Sequence, residues 1–134
     1  PFVWWVKDSL DAKRMREAAR AFEGLHDFAS FADARSTQAE TRVKLEGVLL
    51  AEEGSLILIR VAGSHFLWKM VRRMVGVMAE VGRGGLKVQD AERFLHEASG
   101  VPAELTAPPS GLFLERVLYA GDPPPGPLRP LLNL

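Results

Sequence analysis

Residues 67–81 constrain the fold more than any other stretch of this 134-residue chain. Stepping 100° per residue, Leu67, Met70, Val71, Met74, Val77, Met78 and Val81 gather into a stripe roughly 120° wide. The spacing predicts a long helix with that stripe in the core, capped by Ser64 and closed by Gly82-Arg83-Gly84-Gly85. The methionines and valines of the stripe read as ordinary packing. The opposite side is not a plain solvent face. Arg72, Gly76, Ala79 and Arg83 lie together there, and glycine inside a helix costs about 1 kcal/mol relative to alanine. Gly76 and Ala79 imply close packing on this side too, which leaves Arg72 partly buried. A buried guanidinium needs a carboxylate or phosphate partner, so Arg72 should face an anion. The competing reading is a solvated arginine beside a chance glycine.

The other elements arrange themselves around this helix. Phe2 to Val6 read as a short apolar strand or arm. Asp8 or Ser9 caps a first helix with Asp11 in its first turn, Met15, Ala18, Ala19 and Phe22 on its inner face, and Gly24 at its end. Residues 29–41 show neither period and read as a long loop. Residues 42–51 and 55–62 are two strands joined by a turn at Glu52-Glu53-Gly54-Ser55. A shorter helix covers about 88–98, and 112–119 form a last strand. The order (β)αββααβ gives an α+β fold, an antiparallel sheet with helices packed on one face. It fills residues 1–120; residues 121–134 form an extended Pro-rich tail.

Composition narrows the function. An apolar fraction of 47% suits one domain with one core. Seventeen Lys and Arg against seventeen Asp and Glu give zero formal charge, which excludes a uniformly basic body but not a local basic face. From 60 to 83 the positives are Arg60, Lys69, Arg72, Arg73 and Arg83, against Glu80 alone. That asymmetry fits an RNA-binding surface; a charged, solvated face has the same pattern. The chain has no cysteine, which excludes disulfides, thiolate zinc and a cysteine nucleophile, and fits an intracellular, cytoplasmic protein. No apolar run reaches the ~20 residues of a membrane span. Three scattered histidines argue against a metal site.

Smaller features weigh less. His26-Asp27 resembles an acid–base pair but reads as a turn or cap. His65 stands where the long helix should begin. Arg35-Ser36-Thr37-Gln38 offers a guanidinium, two hydroxyls and an amide, groups that contact phosphate and sugar; a mobile polar loop is the plainer reading.

Four motifs in order carry a resemblance. They are Gly24-Leu25-His26-Asp27-Phe28-Ala29-Ser30-Phe31, Phe66-Leu67-Trp68-Lys69-Met70-Val71-Arg72-Arg73-Met74-Val75-Gly76, Val81-Gly82, and Ala107-Pro108 with Gly111-Leu112-Phe113-Leu114. Together they resemble the C-terminal half of the tRNA pseudouridine synthase A family, from about Trp4 to Tyr119. The resemblance implies isomerisation of neighbouring uridines on the 3′ side of the tRNA anticodon stem-loop, with no cofactor and no metal. It implies a homodimer whose positively charged cleft receives a flipped nucleotide. It assigns Arg72 as the partner of a catalytic Asp and Leu112 as an apolar wall against the target base. Arg35, Ser36, Thr37, Gln38 and Ala39 align with a stretch that touches tRNA.

The family's catalytic Arg-Thr-Asp-x-Gly-x-His motif belongs to its N-terminal half, and this sequence does not contain it. Asp33-Ala34 is only a faint echo, without the flanking residues. The expectation is a half-enzyme, inactive alone, whose missing N-terminal half supplies the carboxylate. A non-catalytic RNA-binding or dimerisation module of the same fold is the alternative, and a small-molecule sensor domain has only the fold class in its favour.

Overall fold

Asp11 sets where the first helix begins: in the computed structural model its carboxylate accepts the Arg14 backbone N–H at 3.2 Å. The structure describes residues 2–4 by their backbone, and 10–33, 40–53, 56–67 and 69–107. Helix α1 spans Ala12–Phe22. Its cap is therefore Asp11 itself rather than a residue upstream. Met15, Ala18, Ala19 and Phe22 are buried, as their spacing requires.

Four antiparallel strands follow the order β1-β4-β3-β2. They are β1 (Phe2–Trp4), β2 (Gly24–Asp27), β3 (Arg42–Glu53) and β4 (Leu56–Gly63). Val48 faces Val61 and Leu50 faces Ile59, after a register shift between Leu45 and Gly47. Val43, Leu45, Val48, Ile59 and Val61 point to the helical layer and join its core. Leu49, one residue out of phase, is 52% exposed. Phe22, Phe28 and Phe31 close one end of the core, with ring centroids 5.3 Å apart for Phe22 and Phe31 and 5.8 Å for Phe28 and Phe31.

The α+β class holds, with differences in detail; Glu52 and Glu53, expected in the hairpin turn, end β3. His26-Asp27, read as a turn or cap, ends an edge strand that runs Gly24–Asp27, and the Asp27 carboxylate does cap the following turn through the Ala29 N–H at 3.0 Å. Ala29–Phe31 form a single 3-10 turn inside the expected loop. The long helix, α2, runs Met70–Arg83 and not from Ser64. Ser64 is used by the sheet: its N–H donates to the Lys44 carbonyl at 2.9 Å, and its Oγ accepts the Lys44 N–H at 3.3 Å. That ladder extension keeps residues 64–67 out of helical geometry, and Lys69, just before the helix, stands in the left-handed region at φ 62.

Helix α2 ends at Gly84 in the left-handed conformation, as Gly82-Arg83-Gly84-Gly85 predicts. Helix α3 spans Val88–His96, where the Asp90 carboxylate accepts the Lys87 N–H at 2.8 Å. A one-turn helix, α4, spans Val101–Glu104. The expected strand 112–119 and the tail lie outside the described residues. No described helix is long and apolar enough to cross a membrane.

Candidate active site at the start of the long helix

Helix α2 is buried on nearly every side. Besides the predicted stripe, Val75, Gly76, Ala79 and Gly82 are buried, and only Arg72, Arg73, Glu80 and the terminal Arg83 reach solvent in part. Residues 105–107 are the element that closes on the Gly76 side. A Cβ on Gly76 would overlap the Leu105 carbonyl oxygen and lie 2.6 Å from its carbon. The glycine is thus explained by a backbone that crosses the helix at contact distance.

That same segment meets Arg72, one helical turn earlier. Arg72 Nε donates to the Ala107 carbonyl at 2.8 Å. The Ala107 N–H donates to the Arg72 carbonyl at 3.0 Å. Arg72 is half-buried, as the helical spacing predicts, but the acceptor is a neutral carbonyl. Among the described residues no carboxylate pairs with it. Its Nη edge makes no hydrogen bond to a described residue. A guanidinium held through Nε keeps its two Nη groups as a donor fork for a carboxylate or phosphate.

The neighbouring cations are arranged differently. Lys69 Nζ lies 3.3 Å from Asp33 Oδ2, and Arg73 Nη2 lies 3.8 Å from the same oxygen. Arg73 Nη1 also donates to the Ala32 carbonyl at 2.7 Å. Asp33 therefore sits in an ion cluster beside the helix start. Arg73 Nε and, on β4, Arg60 Nε are buried with no hydrogen-bond partner. Arg83 pairs with Glu80 at 3.2 Å at the far end of the helix. The start of α2 thus concentrates three cations, Lys69, Arg72 and Arg73, and among the described residues Asp33 is the carboxylate that pairs with Lys69 and Arg73.

Arg35, Ser36, Thr37, Gln38 and Ala39 lie outside the described residues, as does Leu112. The residues flanking 34–39 are described. Asp33 is tied to Lys69 and Arg73, while the Glu40 carbonyl lies 3.4 Å from His65 Nε2. His65, whose Nδ1 is 3.2 Å from Ser64 Oγ, is a loop residue and not the start of a helix. The Arg42 guanidinium and N–H, both hydrogen-bonded to the Glu40 carboxylate, hold its pKa below the ordinary carboxylate value. Both flanks of 34–39 therefore contact the same stretch, 65–73, that contains Arg72.

One contributor has no side-chain signal in the sequence. Ala107 acts through its backbone alone. Asp33 enters the site as the ion-pair partner of Lys69 and Arg73. An open depression of about 410 Å³ is lined by Ala29, Ser30, Ala98, Ser99 and Gly100, none of which has an ionisable side chain.

Residues 18–120 match the family model described as tRNA pseudouridine synthase. The chain is 43% identical over 119 residues to tRNA pseudouridine synthase A of Pseudothermotoga lettingae, covering 87% of this chain and 48% of that protein. It is 40% identical over 116 residues to the protein of that name from Geobacter sulfurreducens, covering 87% and 48%. For Pseudomonas aeruginosa the identity is 40% over 121 residues, covering 90% and 42%. The chain spans about half the length of the curated relatives it matches. From the match over most of its length, with the Arg72 helix inside it, the chain belongs to the tRNA pseudouridine synthase family.

Proposed function

We propose that this chain is the C-terminal half of a tRNA pseudouridine synthase that isomerises uridines of the anticodon stem-loop. The observation that carries the reading is Arg72: half-buried, held through Nε, with its Nη fork free of described partners. A carboxylate supplied by the family's N-terminal half docks on that fork. The guanidinium keeps it ionised, lowering its pKa by roughly 1–3 units, and fixes its plane through paired hydrogen bonds.

The reaction is an isomerisation. The C1′–N1 glycosidic bond breaks, the base turns, and a C1′–C5 bond forms. N1 ends with a proton and C5 gives one up, so no co-reactant is consumed. Neither a metal nor an organic cofactor enters this reading. The target nucleotide must leave its stack to reach the site; Leu112 then packs on the base, and residues 35–39 hold the RNA backbone. Lys69 and Arg73 add positive charge for phosphate nearby. The working form is a cytoplasmic homodimer in which each protomer carries both halves.

The test is single-turnover pseudouridine formation in an anticodon stem-loop by the protein carrying both halves. Arg72→Lys should leave tRNA affinity near its starting value and reduce turnover by orders of magnitude, since an ammonium cannot reproduce the fork. Near-normal turnover in that variant overturns the assignment of Arg72. Tight tRNA binding with no pseudouridine formed by the unsubstituted protein would instead favour a non-catalytic RNA-binding module.

A further inference from the structure

We infer that Gly76 and the backbone of residues 105–107 form a positioning device for the Arg72 guanidinium, an inference that rests on the catalytic reading of Arg72 above. Two hydrogen bonds of opposite sense join the same pair of residues: Arg72 Nε to the Ala107 carbonyl at 2.8 Å, and the Ala107 N–H to the Arg72 carbonyl at 3.0 Å. Ala107 is buried, so water does not compete for this clasp. The guanidinium is planar. Fixing the Nε–H direction, with Cδ anchored by the half-buried side chain, therefore restricts the plane and the heading of both Nη groups, the atoms that must meet the carboxylate.

Gly76 is what allows the clasp to close. It lies one turn after Arg72 on the same helix face. A Cβ there would overlap the Leu105 carbonyl oxygen, lie 2.6 Å from the Leu105 carbon and 3.4 Å from the Ala107 nitrogen. These are backbone atoms and cannot swing aside as the end of a flexible side chain would. Any side chain at Gly76 must push residues 105–107 off the helix, and the carbonyl that aims Arg72 moves with them. Gly76 touches no reacting atom; it acts through Arg72 and is a positioning residue.

A glycine that merely lets the fold pack and a glycine that aims Arg72 differ in one measurable respect. In the protein carrying both halves, single-turnover pseudouridine formation is measured for Gly76→Ala, Arg72→Ala and the double variant. Gly76→Ala should slow the chemical step about tenfold to a hundredfold, the range that misplacement of a catalytic group produces, with tRNA affinity little changed. In the Arg72→Ala background the same substitution should cost less than about threefold, because there is no guanidinium left to aim. An equal loss in both backgrounds makes Gly76 a packing residue and overturns the inference. Normal turnover by Arg72→Ala overturns the catalytic reading and this inference together, whereas a large Arg72→Ala loss with additive Gly76→Ala overturns this inference alone.

A measurement on the unsubstituted chain covers the case in which Gly76→Ala does not fold. The Arg72 Nε–H should exchange with solvent at least about tenfold more slowly than that of the exposed Arg16, as a buried hydrogen-bonded proton does. Equal exchange rates would mean that the clasp is not made in solution, and the inference fails.

Discussion

Asp33 Oδ2 lies 3.3 Å from Lys69 Nζ, joining the residue before the 34–39 segment to the residue before helix α2. Arg73 approaches the same oxygen at 3.8 Å and donates to the adjacent Ala32 carbonyl. The side chains of Arg73 and Asp33 are only 13% and 18% exposed. Asp33→Ala removes this counter-ion from a mostly buried guanidinium and leaves it the Ala32 carbonyl, so it should cost about 1–3 kcal/mol of stability, above the usual range for an exposed ion pair. Urea unfolding of the two proteins reads the difference; coincident midpoints would show that the cluster contributes nothing.

The backbone of Lys69 makes a separate prediction. At φ 62 and ψ 3 it occupies a region that asparagine tolerates and β-branched residues avoid. Both Lys69→Asn and Lys69→Val lose the Asp33 contact, so their difference isolates the backbone. Lys69→Val should be the less stable by about 1–2 kcal/mol. Equal stabilities would argue that the turn relaxes out of the left-handed region.

Glu40 should titrate at lower pH than an unperturbed glutamate, because the Arg42 side-chain hydrogen bond and the Arg42 N–H both favour its ionised form. Its folded pKa is depressed. Any stability it contributes is therefore present above the unfolded pKa and is lost as pH falls through the folded one. The pair is exposed, so the effect on stability is small. Side-chain carboxyl shifts followed by NMR should move to higher pH in Arg42→Gln; an unchanged titration would remove Arg42 as the cause.

The aromatic end of the core sets a scale for these effects. Phe22 is fully buried against Phe28 and Phe31, so Phe22→Ala should cost about 3–5 kcal/mol. Leu25, 65% exposed on the edge strand β2, should lose no more than about 0.5 kcal/mol on conversion to alanine. Thermal melts of both variants check the contrast, and comparable losses would mean that Leu25 is covered in solution.

The sequence made the inner face of α2 legible because six apolar residues from Met70 to Val81 at helical spacing admit few other arrangements; Leu67, the seventh of the stripe, is buried but precedes the helix. It made Gly76 legible as a point of close approach, since an interior glycine needs a reason. The thing approaching was not legible. It is the backbone around Leu105 and Ala107, and a carbonyl leaves no mark in side-chain chemistry. Ser64 misled for a related reason: a serine before an apolar periodic run looks like a cap, but its N–H and Oγ are already committed to Lys44. The strand at Gly24-Leu25-His26-Asp27 was hidden by turn-forming residues, because pairing with β3 overrides local propensity at an edge. At the site, the half-burial of Arg72 followed from its neighbours on the helix. The joining of Asp33 to Lys69 and Arg73 did not, because nothing in sequence spacing brings a loop carboxylate to a helix start.

The four-residue helix α4 and the three residues that follow it have one more consequence. They pack on α2 from a position remote in sequence, and a single turn of helix has little cohesion of its own. Such a segment can open and close while the sheet and the long helices stay folded, at a free energy below that of global unfolding. Loss of aim at Arg72 and loss of the fold are then separate events on heating or in mild denaturant. The chain can keep its circular dichroism and most of its core while its arginine no longer points anywhere in particular.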